Sequence, residues 1–255
     1  MEAIFDLSGV SLALPMRGGS REILRDITFS VCRGEVLTIV GASGTGKTSL
    51  LRVLAGLTQP TTGTVSFRGE TMNGAQDGVA IVFQDYSNAL LQWRTVAGNV
   101  ALGIERSLSG EVLAERVSQS LALVGLAKHA RDYPWQLSGG MQQRVQIARA
   151  LALNPSVLLM DEPFAALDAM TKATLQDELL RVREQTHASI VFITHDIEEA
   201  VYLCDRVALI SGSPGVVTRI YDIDLPFPRD QVATRELPAF LKYRRDLHDA
   251  IGVPR

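Results

Sequence analysis

The sequence predicts an α/β fold with a mostly parallel sheet, because three observations agree. A glycine-rich loop follows the all-apolar run Val36–Val40 and precedes a segment of helical character. A second all-apolar run, at residues 157–160, ends in two adjacent carboxylates. Between about residues 139 and 210, short apolar runs alternate with helical patterns. Parallel strands that are covered on both faces are apolar throughout, and βαβ alternation places them in one sheet.

The N-terminal part of the chain is predicted to consist mainly of short strands. Alternating or apolar patterns are separated there by turns that contain glycine, such as residues 17–20 and 33–35. We predict these strands over residues 4–7, 10–14, 27–31, 36–40, 64–67 and 79–82. A helix is predicted directly after the glycine-rich loop.

The stretch from about residue 90 to 135 is predicted to be a helical insertion between strands of the core. Its apolar residues recur at i, i+4, i+8 and i+11, which forms one stripe along a helix. The residues of this stripe are Leu113, Val117, Leu121 and Val124. Pro134 ends the insertion in an irregular connection, since the residue before a proline disfavours helix.

The rest of the chain is predicted to alternate helix and strand. Asp168 and Asp196 are placed to cap the second and third of its helices. We predict helices over residues 139–153, 168–184 and 196–203, and strands over residues 157–160, 190–193 and 206–210. After an extended linker at residues 225–229, a last amphipathic helix is predicted from Leu237, Leu241 and Leu247.

Composition narrows the classes of function. The 255 residues carry a net charge of −3 without any long block of like charges, so a basic nucleic-acid footprint is not supported. Cys32 and Cys204 lack metal-like spacing and are predicted to be reduced structural thiols. No signal peptide and no bilayer-spanning run are expected, since no basic start precedes an apolar block and no apolar run approaches about 18 residues.

The glycine-rich loop has the pattern G-x-x-x-x-G-K-[ST]. Its residues are Gly41, Ala42, Ser43, Gly44, Thr45, Gly46, Lys47 and Thr48. Between a strand and a helix, the amides of such a loop cradle phosphates at the helix N-terminus. Lys47 then neutralises the outer phosphates, and the Thr48 hydroxyl can hold Mg²⁺. A glycine-rich turn with a coincidental Lys-Thr is the structural alternative.

Asp161 and Glu162 form an acidic pair at the end of the second apolar run. Open α/β sheets bind ligands at the carboxyl ends of their strands, which is where this pair is predicted to lie. Asp161 is predicted to hold the Mg²⁺ shell opposite Thr48, and Glu162 to polarise a water that attacks the γ-phosphate. The alternative is a solvated acidic pair at a strand end.

A second glycine-containing stretch, at residues 137–141, opens a predicted helix. Its residues are Leu137, Ser138, Gly139, Gly140 and Met141. Taken alone, the stretch is a serine N-cap with a glycine turn. Beside the phosphate loop and the acidic pair, however, it resembles the signature of the ATP-binding-cassette (ABC) ATPases. The resemblance extends over nearly the whole chain, because Gln84 matches the Q-loop, Asp168 in Ala166-Leu167-Asp168 the D-loop, and His195 the switch histidine.

The resemblance implies a P-loop NTPase with an N-terminal antiparallel β subdomain and an inserted helical subdomain. One domain over residues 1–255 is expected, with its core at 1–88 and 155–225, its helical subdomain at 89–154 and a tail at 226–255. The family uses ATP and Mg²⁺, and the implied metal ligands are Thr48, Gln84 and, through water, Asp161. Glu162 is implied as the catalytic base, with His195 and Gln84 positioning the water and the γ-phosphate. A head-to-tail homodimer is also implied, in which Ser138 to Gly140 of one copy close the phosphate loop of the other.

The segments after Gln84 and before the tail helix resemble the importer branch that serves nitrate, sulfonate, taurine and related solutes. In that branch, residues 85–102, from Asp85 to Leu102, form a groove for the transmembrane permease subunits. The resemblance also implies a periplasmic or lipid-anchored solute-binding protein, and a peripheral location on the cytoplasmic face of the inner membrane. Ordinary core packing of Leu90, Leu91 and Trp93 is the alternative.

Two competing classes are a soluble cassette ATPase acting on nucleic acid or the ribosome, and a P-loop kinase of a small metabolite. The first usually carries two cassettes or a coiled-coil insertion, and neither is visible in this sequence. The second leaves residues 137–141 unexplained. One departure from the family concerns adenine, because Leu14 occupies the place of its usual stacking aromatic and Phe5 lies too early.

Overall fold

The computed structural model describes residues 2–16, 19–84, 89–165 and 167–252. Its strands are β1 (Ala3–Met16), β2 (Gly19–Cys32), β3 (Val36–Val40), β4 (Thr62–Phe67), β5 (Glu70–Thr71), β6 (Val79–Val82), β7 (Val157–Asp161), β8 (Ser189–Thr194), β9 (Arg206–Ser211) and β10 (Val216–Asp222). Its helices are α1 (Lys47–Leu54), α2 (Val96–Ala101), α3 (Gly110–Leu123), α4 (Gly139–Ala152), α5 (Ala169–Thr186), α6 (Ile197–Leu203), α7 (Ala233–Glu236) and α8 (Pro238–Gly252). In these described ranges, no helix combines the length and apolarity that crossing a membrane requires.

The chain divides into two compact units. The first consists of Met1–Asp77 and Ser189–Arg255, and the second of Gly78–Ala188. The predicted α/β class is confirmed, with an antiparallel N-terminal sheet, parallel strands and a helical insertion. The predicted subdivision at residues 89, 155 and 226 remains a prediction.

The N-terminal sheet of the first unit has the order β2-β1-β4-β5, and its strand pairs are antiparallel. The sequence predicted two strands over residues 4–14, but they form the single strand β1. The reason is an irregularity that does not end the strand. The pairing of β1 with β2 shifts register between Leu7 and Val10, and Gly9 adopts a φ of 60° there, a conformation that glycine tolerates.

The parallel strands of the first unit surround β3. In the order β10-β9-β3-β8, β3 runs parallel to both neighbours, and β10 is antiparallel to β9. Every residue of β3 and β8 is buried, as expected of strands without polar faces. Strand β10 was not predicted from the sequence.

The tail of the chain packs on the first unit through a face that differs from the predicted one. Phe240 and Leu247 of α8 are fully buried, whereas Leu241 is 39% exposed. The predicted role of Leu241 in the apolar stripe is therefore wrong, because the buried face follows the i, i+7 pair of Phe240 and Leu247. Arg229, in the predicted linker, is also buried.

In the second unit, β6 pairs with β7 in parallel register, with Val82 opposite Met160. The apolar stripe predicted for this region is confirmed at Val117 and Leu121 of α3 and at Val124 directly after the helix, which are buried. Leu113, the first residue of the predicted stripe, is half-buried. The connection at residues 133–136 contains a 3-10 turn, Pro134–Gln136. An ion pair of 3.1 Å joins Arg144 of α4 to Glu178 of α5.

Both cysteines are free thiols in the first unit. Cys204 is completely buried, and this burial raises the pKa of its thiol to about 12. Because the thiolate is the reactive form of cysteine, Cys204 has the chemistry of an inert core residue.

Candidate active site

The phosphate loop lies between β3 and α1, and its glycines are sterically required. A Cβ on Gly41 would stand 2.2 Å from the carbonyl oxygen of Ile210, and one on Gly46 would stand 2.8 Å from Leu24 Cδ2. Gly44 and Gly46 have φ angles of 82° and 89°, which other residues adopt only with strain. The backbone can therefore wrap tightly only with glycine at these positions.

Lys47 is oriented toward the interior of the phosphate loop. Its ammonium donates hydrogen bonds of 2.8 Å to the carbonyl oxygens of both Gly41 and Ala42, and the residue is only 7% exposed. Thr45 Oγ1 donates to the Ala42 carbonyl at 2.9 Å. Ala42, Ser43 and Gly44 are exposed. The loop thus combines a positioned cation with an open outer side.

His195 lies at the same sheet edge as the phosphate loop. Strands β3 and β8 are parallel neighbours, with Val40 opposite Thr194. Gly41 and His195 each follow directly on these paired residues, and the His195 side chain is exposed. The structure therefore brings the predicted switch histidine beside the start of the loop.

The residues that flank His195 are held by hydrogen bonds that the sequence analysis missed. Thr194 Oγ1 donates to the carboxylate of buried Glu199 and accepts from the Asp196 amide at 3.0 Å. Asp196 caps α6, as predicted, by accepting from the amides of Glu198 and Glu199. The only sequence signal was the recurrence of polar residues around His195, which does not reveal their pairing.

In the second unit, Gln84 and Glu162 are brought together at the ends of β6 and β7. Gln84 Nε2 donates to Glu162 Oε2 over 3.1 Å. Asp161 is the last residue of β7 and is buried. The acidic pair is therefore not simply solvated, because its members differ in burial and one accepts a hydrogen bond from the predicted Q-loop glutamine.

The backbone of Glu162 is unusual. Its φ of 45° lies in the left-handed region, which residues other than glycine rarely occupy outside turns and functional sites. The turn redirects the chain directly after Asp161. The two adjacent carboxylates also differ in burial, since Asp161 is buried and Glu162 is half-buried.

The signature and D-loop residues are also close together in the second unit. Ser138 caps α4 by accepting from the Met141 amide at 3.4 Å. A Cβ on Gly140 would stand 2.2 Å from Thr171 Cγ2, so glycine permits close packing of α4 on α5. Thr171 Oγ1 in turn donates to Asp168 Oδ2 at 2.6 Å. Leu137 is buried, whereas Ser138 is exposed.

Asp168 caps α5, as the sequence predicted. Its carboxylate accepts hydrogen bonds of 3.1 Å from the amides of both Met170 and Thr171. The Thr171 hydroxyl, followed by these amides, lowers the pKa of Asp168. Ala166, the first residue of the D-loop motif, lies outside the described residues.

Replacing Gly140 with alanine is expected to destabilise the chain by about 1–3 kcal/mol, since the new methyl group overpacks a helix contact. Thr171 cannot easily rotate away, because its hydroxyl is bonded to Asp168. The double variant Gly140→Ala/Thr171→Ser removes the clashing methyl and keeps the hydroxyl, so it should recover most of the loss. Urea unfolding measures both variants, with Thr171→Ser alone as the control. Equal instability of the single and double variants would contradict the proposed clash.

The two residues considered for adenine stacking occupy different environments. Phe5 is fully buried, with its ring centroid 5.1 Å from that of Phe67. It is thus a core residue, as its early position suggested. Leu14 on β1 is partly exposed, and a leucine offers an apolar surface without a π-face.

The predicted magnesium ligands supply the oxygen donors that Mg²⁺ prefers. Thr48 is exposed at the start of α1, and Asp161 is buried at the end of β7. Within the described parts of the chain, no group of three or more His, Cys, Asp or Glu side chains forms a metal cage. Mg²⁺ commonly binds one or two protein ligands together with substrate phosphates.

The chain is similar in sequence to a family of known proteins. A family model described as ABC transporter matches residues 24–165, which is more than half of the chain. The aliphatic sulfonates import ATP-binding protein SsuB 1 of Xanthomonas axonopodis pv. citri is 44% identical over 247 residues, covering 96% of each chain. The nitrate import ATP-binding protein NrtD of Synechococcus elongatus is 39% identical over 249 residues, covering 96% of this chain and 89% of its own.

A solved structure is similar over most of the chain. It is the dimeric post-hydrolysis state of the ATP-binding cassette MJ0796, bound to ADP and Pi. The TM-score is 0.76 at 31% sequence identity, and the alignment covers 86% of this chain and 98% of that one.

Proposed function

Because the chain belongs to the ABC transporter family, we propose that it binds and hydrolyses ATP to energise an importer of a small solute. This membership confirms the resemblance to the ABC ATPases that the nucleotide motifs indicated. The observation that carries the proposal is the hydrogen bond from Gln84 to Glu162 beside buried Asp161. This arrangement sets a candidate base next to a candidate metal ligand.

In the proposed reaction, the loop amides and Lys47 hold the phosphates of ATP. Thr48, Gln84 and, through water, Asp161 would hold Mg²⁺, which would supply positive charge to the phosphate oxygens. Glu162 accepts the proton of the attacking water. His195 and Gln84 together position that water and the γ-phosphate.

We place two copies of the chain head to tail around two ATP molecules. We propose the N-terminus of α4, at Ser138 to Gly140, as an anion site, because the first amides of a helix have no intrahelical partner. In this arrangement, the N-terminus of α4 binds the open face of the γ-phosphate that the loop of the other copy holds. Hydrolysis removes the γ-phosphate charge that holds the two copies together. Cleavage of the phosphate bond therefore allows the copies to separate.

The proposed contact with the permease is the segment that includes Leu90, Leu91 and Trp93. Leu90 is buried and belongs to the core, whereas Trp93 is 75% exposed. Buried Asn99 holds the loop through hydrogen bonds to the Leu91 amide and to the carbonyl oxygens of Leu91, Arg94 and Thr95. An exposed aromatic on an ordered loop favours a protein contact. Residues 85–88, including Asp85, lie outside the described residues.

The relatives named for sulfonate and nitrate import suggest a small anion as the solute. On this proposal, the chain works on the cytoplasmic face of the inner membrane, and a periplasmic or lipid-anchored binding protein delivers the solute. Solute specificity would then reside in those partners, because the proposed sites of this chain bind only ATP, Mg²⁺ and other proteins.

A matched pair of tryptophan variants tests the importer assignment. Trp93→Ala is expected to reduce co-purification with the permease at least about tenfold, as loss of an interface hot spot does. Trp135, 68% exposed in the same unit, provides the control variant Trp135→Ala. The measurement is affinity purification of the permease co-expressed with each variant. Equal recovery with both variants, or salt-sensitive binding of RNA or DNA by the wild type, would contradict the proposal.

A further inference from the structure

Helix α6 begins two residues after His195 and is held at both ends by arginines from the tail of the chain. These arginines are Arg229, Arg235 and Arg244, and all of their contacts with α6 lie within the first unit. For this tail, the sequence predicted only an extended linker and one amphipathic helix. Through these contacts, the tail holds both ends of the helix that follows the predicted switch histidine.

At the C-terminal end of α6, Arg229 donates hydrogen bonds to backbone carbonyl groups. Its Nη1 donates to the Tyr202 carbonyl at 2.6 Å, and its Nη2 donates to the Cys204 carbonyl at 2.9 Å. The last carbonyls of a helix have no intrahelical partner and carry partial negative charge. A buried guanidinium therefore fixes where α6 ends.

At the N-terminal end, Glu198 is held by two other arginines of the tail. Its Oε2 accepts from Arg235 Nη1 and its Oε1 from Arg244 Nη1, both at 2.9 Å. Arg235 also lies 4.9 Å from the centroid of the Tyr202 ring. Helix α8 packs on α6, so both carboxylate oxygens of Glu198 connect the first turn of α6 to the tail.

His195 is coupled to this turn through its neighbours. Asp196 accepts from the Glu198 amide at 2.9 Å, and buried Glu199 accepts from the Thr194 hydroxyl. A cleft of about 650 Å³ is lined by His195 together with residues of α6 and α8, including Glu198, Leu241, Arg244, Arg245 and His248. A displacement of the first turn of α6 would therefore move both residues that flank His195.

We propose that Glu198, Arg235 and Arg244 are positioning residues, through which the tail sets the place of His195 at the γ-phosphate. The inference rests on the proposed function, because it assumes that His195 acts on bound ATP. The two ion pairs are partly exposed, and such pairs contribute little to the stability of a fold. Their main effect is therefore expected on the geometry of the site, where small displacements strongly reduce rates.

Glu198→Gln tests this role because it removes the charge and keeps the shape of the side chain. We expect kcat for ATP hydrolysis to fall about tenfold, while KM for MgATP changes less than about twofold. The melting temperature should stay close to that of the wild type. Glu2→Gln, which breaks the exposed Arg33–Glu2 pair of the same unit, is the matched control and should leave kcat unchanged.

A double-mutant cycle separates positioning of His195 from a general structural effect. In a His195→Ala background, Glu198→Gln should cause no further loss of kcat, because the residue that it positions is absent. Arg244→Gln should lower kcat, and Arg244→Lys should retain most of it, since the contact uses a single nitrogen.

The outcomes distinguish this inference from the proposed function. A wild-type chain that does not hydrolyse MgATP would overturn both. An active wild type with unchanged kcat in Glu198→Gln, or with the same tenfold loss in the His195→Ala background, would overturn the positioning role alone.

Discussion

Glu162→Gln is expected to lower kcat for ATP hydrolysis about 10²–10³-fold, within the range for loss of a general base. The geometry should survive the change, because the amide oxygen of the new side chain can still accept from Gln84 Nε2. MgATP binding should therefore persist, and the variant should accumulate as a nucleotide-bound dimer. Phosphate release measures kcat, and size-exclusion chromatography with MgATP measures the dimer.

Glu115→Gln is a suitable control, because it changes an exposed carboxylate of the same unit in helix α3. Its turnover should match that of the wild type. Undiminished turnover in Glu162→Gln would refute the assignment of the base. Loss of MgATP binding in the same variant would instead show that the charge of the Glu162 carboxylate contributes to nucleotide binding.

Short apolar strands were the elements most accurately predicted from the sequence. The predicted bounds of β3 and β6 are those observed, and β7 differs by one residue. Short apolar runs between polar or glycine residues leave little freedom to place a strand elsewhere. Strand β10 was missed because it is an edge strand with mostly half-buried or exposed residues, such as half-buried Thr218 and exposed Arg219. Such a strand lacks the continuous apolar pattern.

The buried face of the tail helix α8 shows a different limit of prediction from the sequence. Leucines at 237, 241 and 247 fit an amphipathic pattern, yet Phe240 lies in the core and Leu241 is partly exposed. A short helix admits several apolar faces, and the surface on which it packs decides between them. That surface includes α6, which is distant in the sequence.

Within the candidate site, local motifs could be predicted from the sequence, whereas hydrogen bonds between residues distant in the sequence could not. The caps at Asp168 and Asp196 follow from residue type and position, and both are confirmed. The contacts of Arg229 with Tyr202 and Cys204 join residues more than 20 positions apart. No spacing pattern marks such a contact, and only the folded chain reveals that a residue of the predicted linker is buried.

Lys47→Ala is expected to weaken MgATP binding about 100-fold or more, which corresponds to roughly 3 kcal/mol. The change removes a cation that is held inside the phosphate loop by the carbonyl oxygens of Gly41 and Ala42. Hydrogen bonds to charged phosphates are among the strong ones in proteins, and alanine replaces none of them. Isothermal titration with MgATP measures the loss, with the exposed Lys128→Ala as the control.

Lys47→Ala and Glu162→Gln are expected to have opposite effects on MgATP binding, which separates binding from hydrolysis. Lys47→Ala should lose binding and with it turnover, whereas Glu162→Gln should lose turnover and retain binding. Unchanged affinity in Lys47→Ala would mean that the triphosphate does not lie on this loop, whatever its sequence pattern. Because Lys47 and Glu162 belong to different units of the chain, these opposite results would assign phosphate binding to the first unit and water activation to the second.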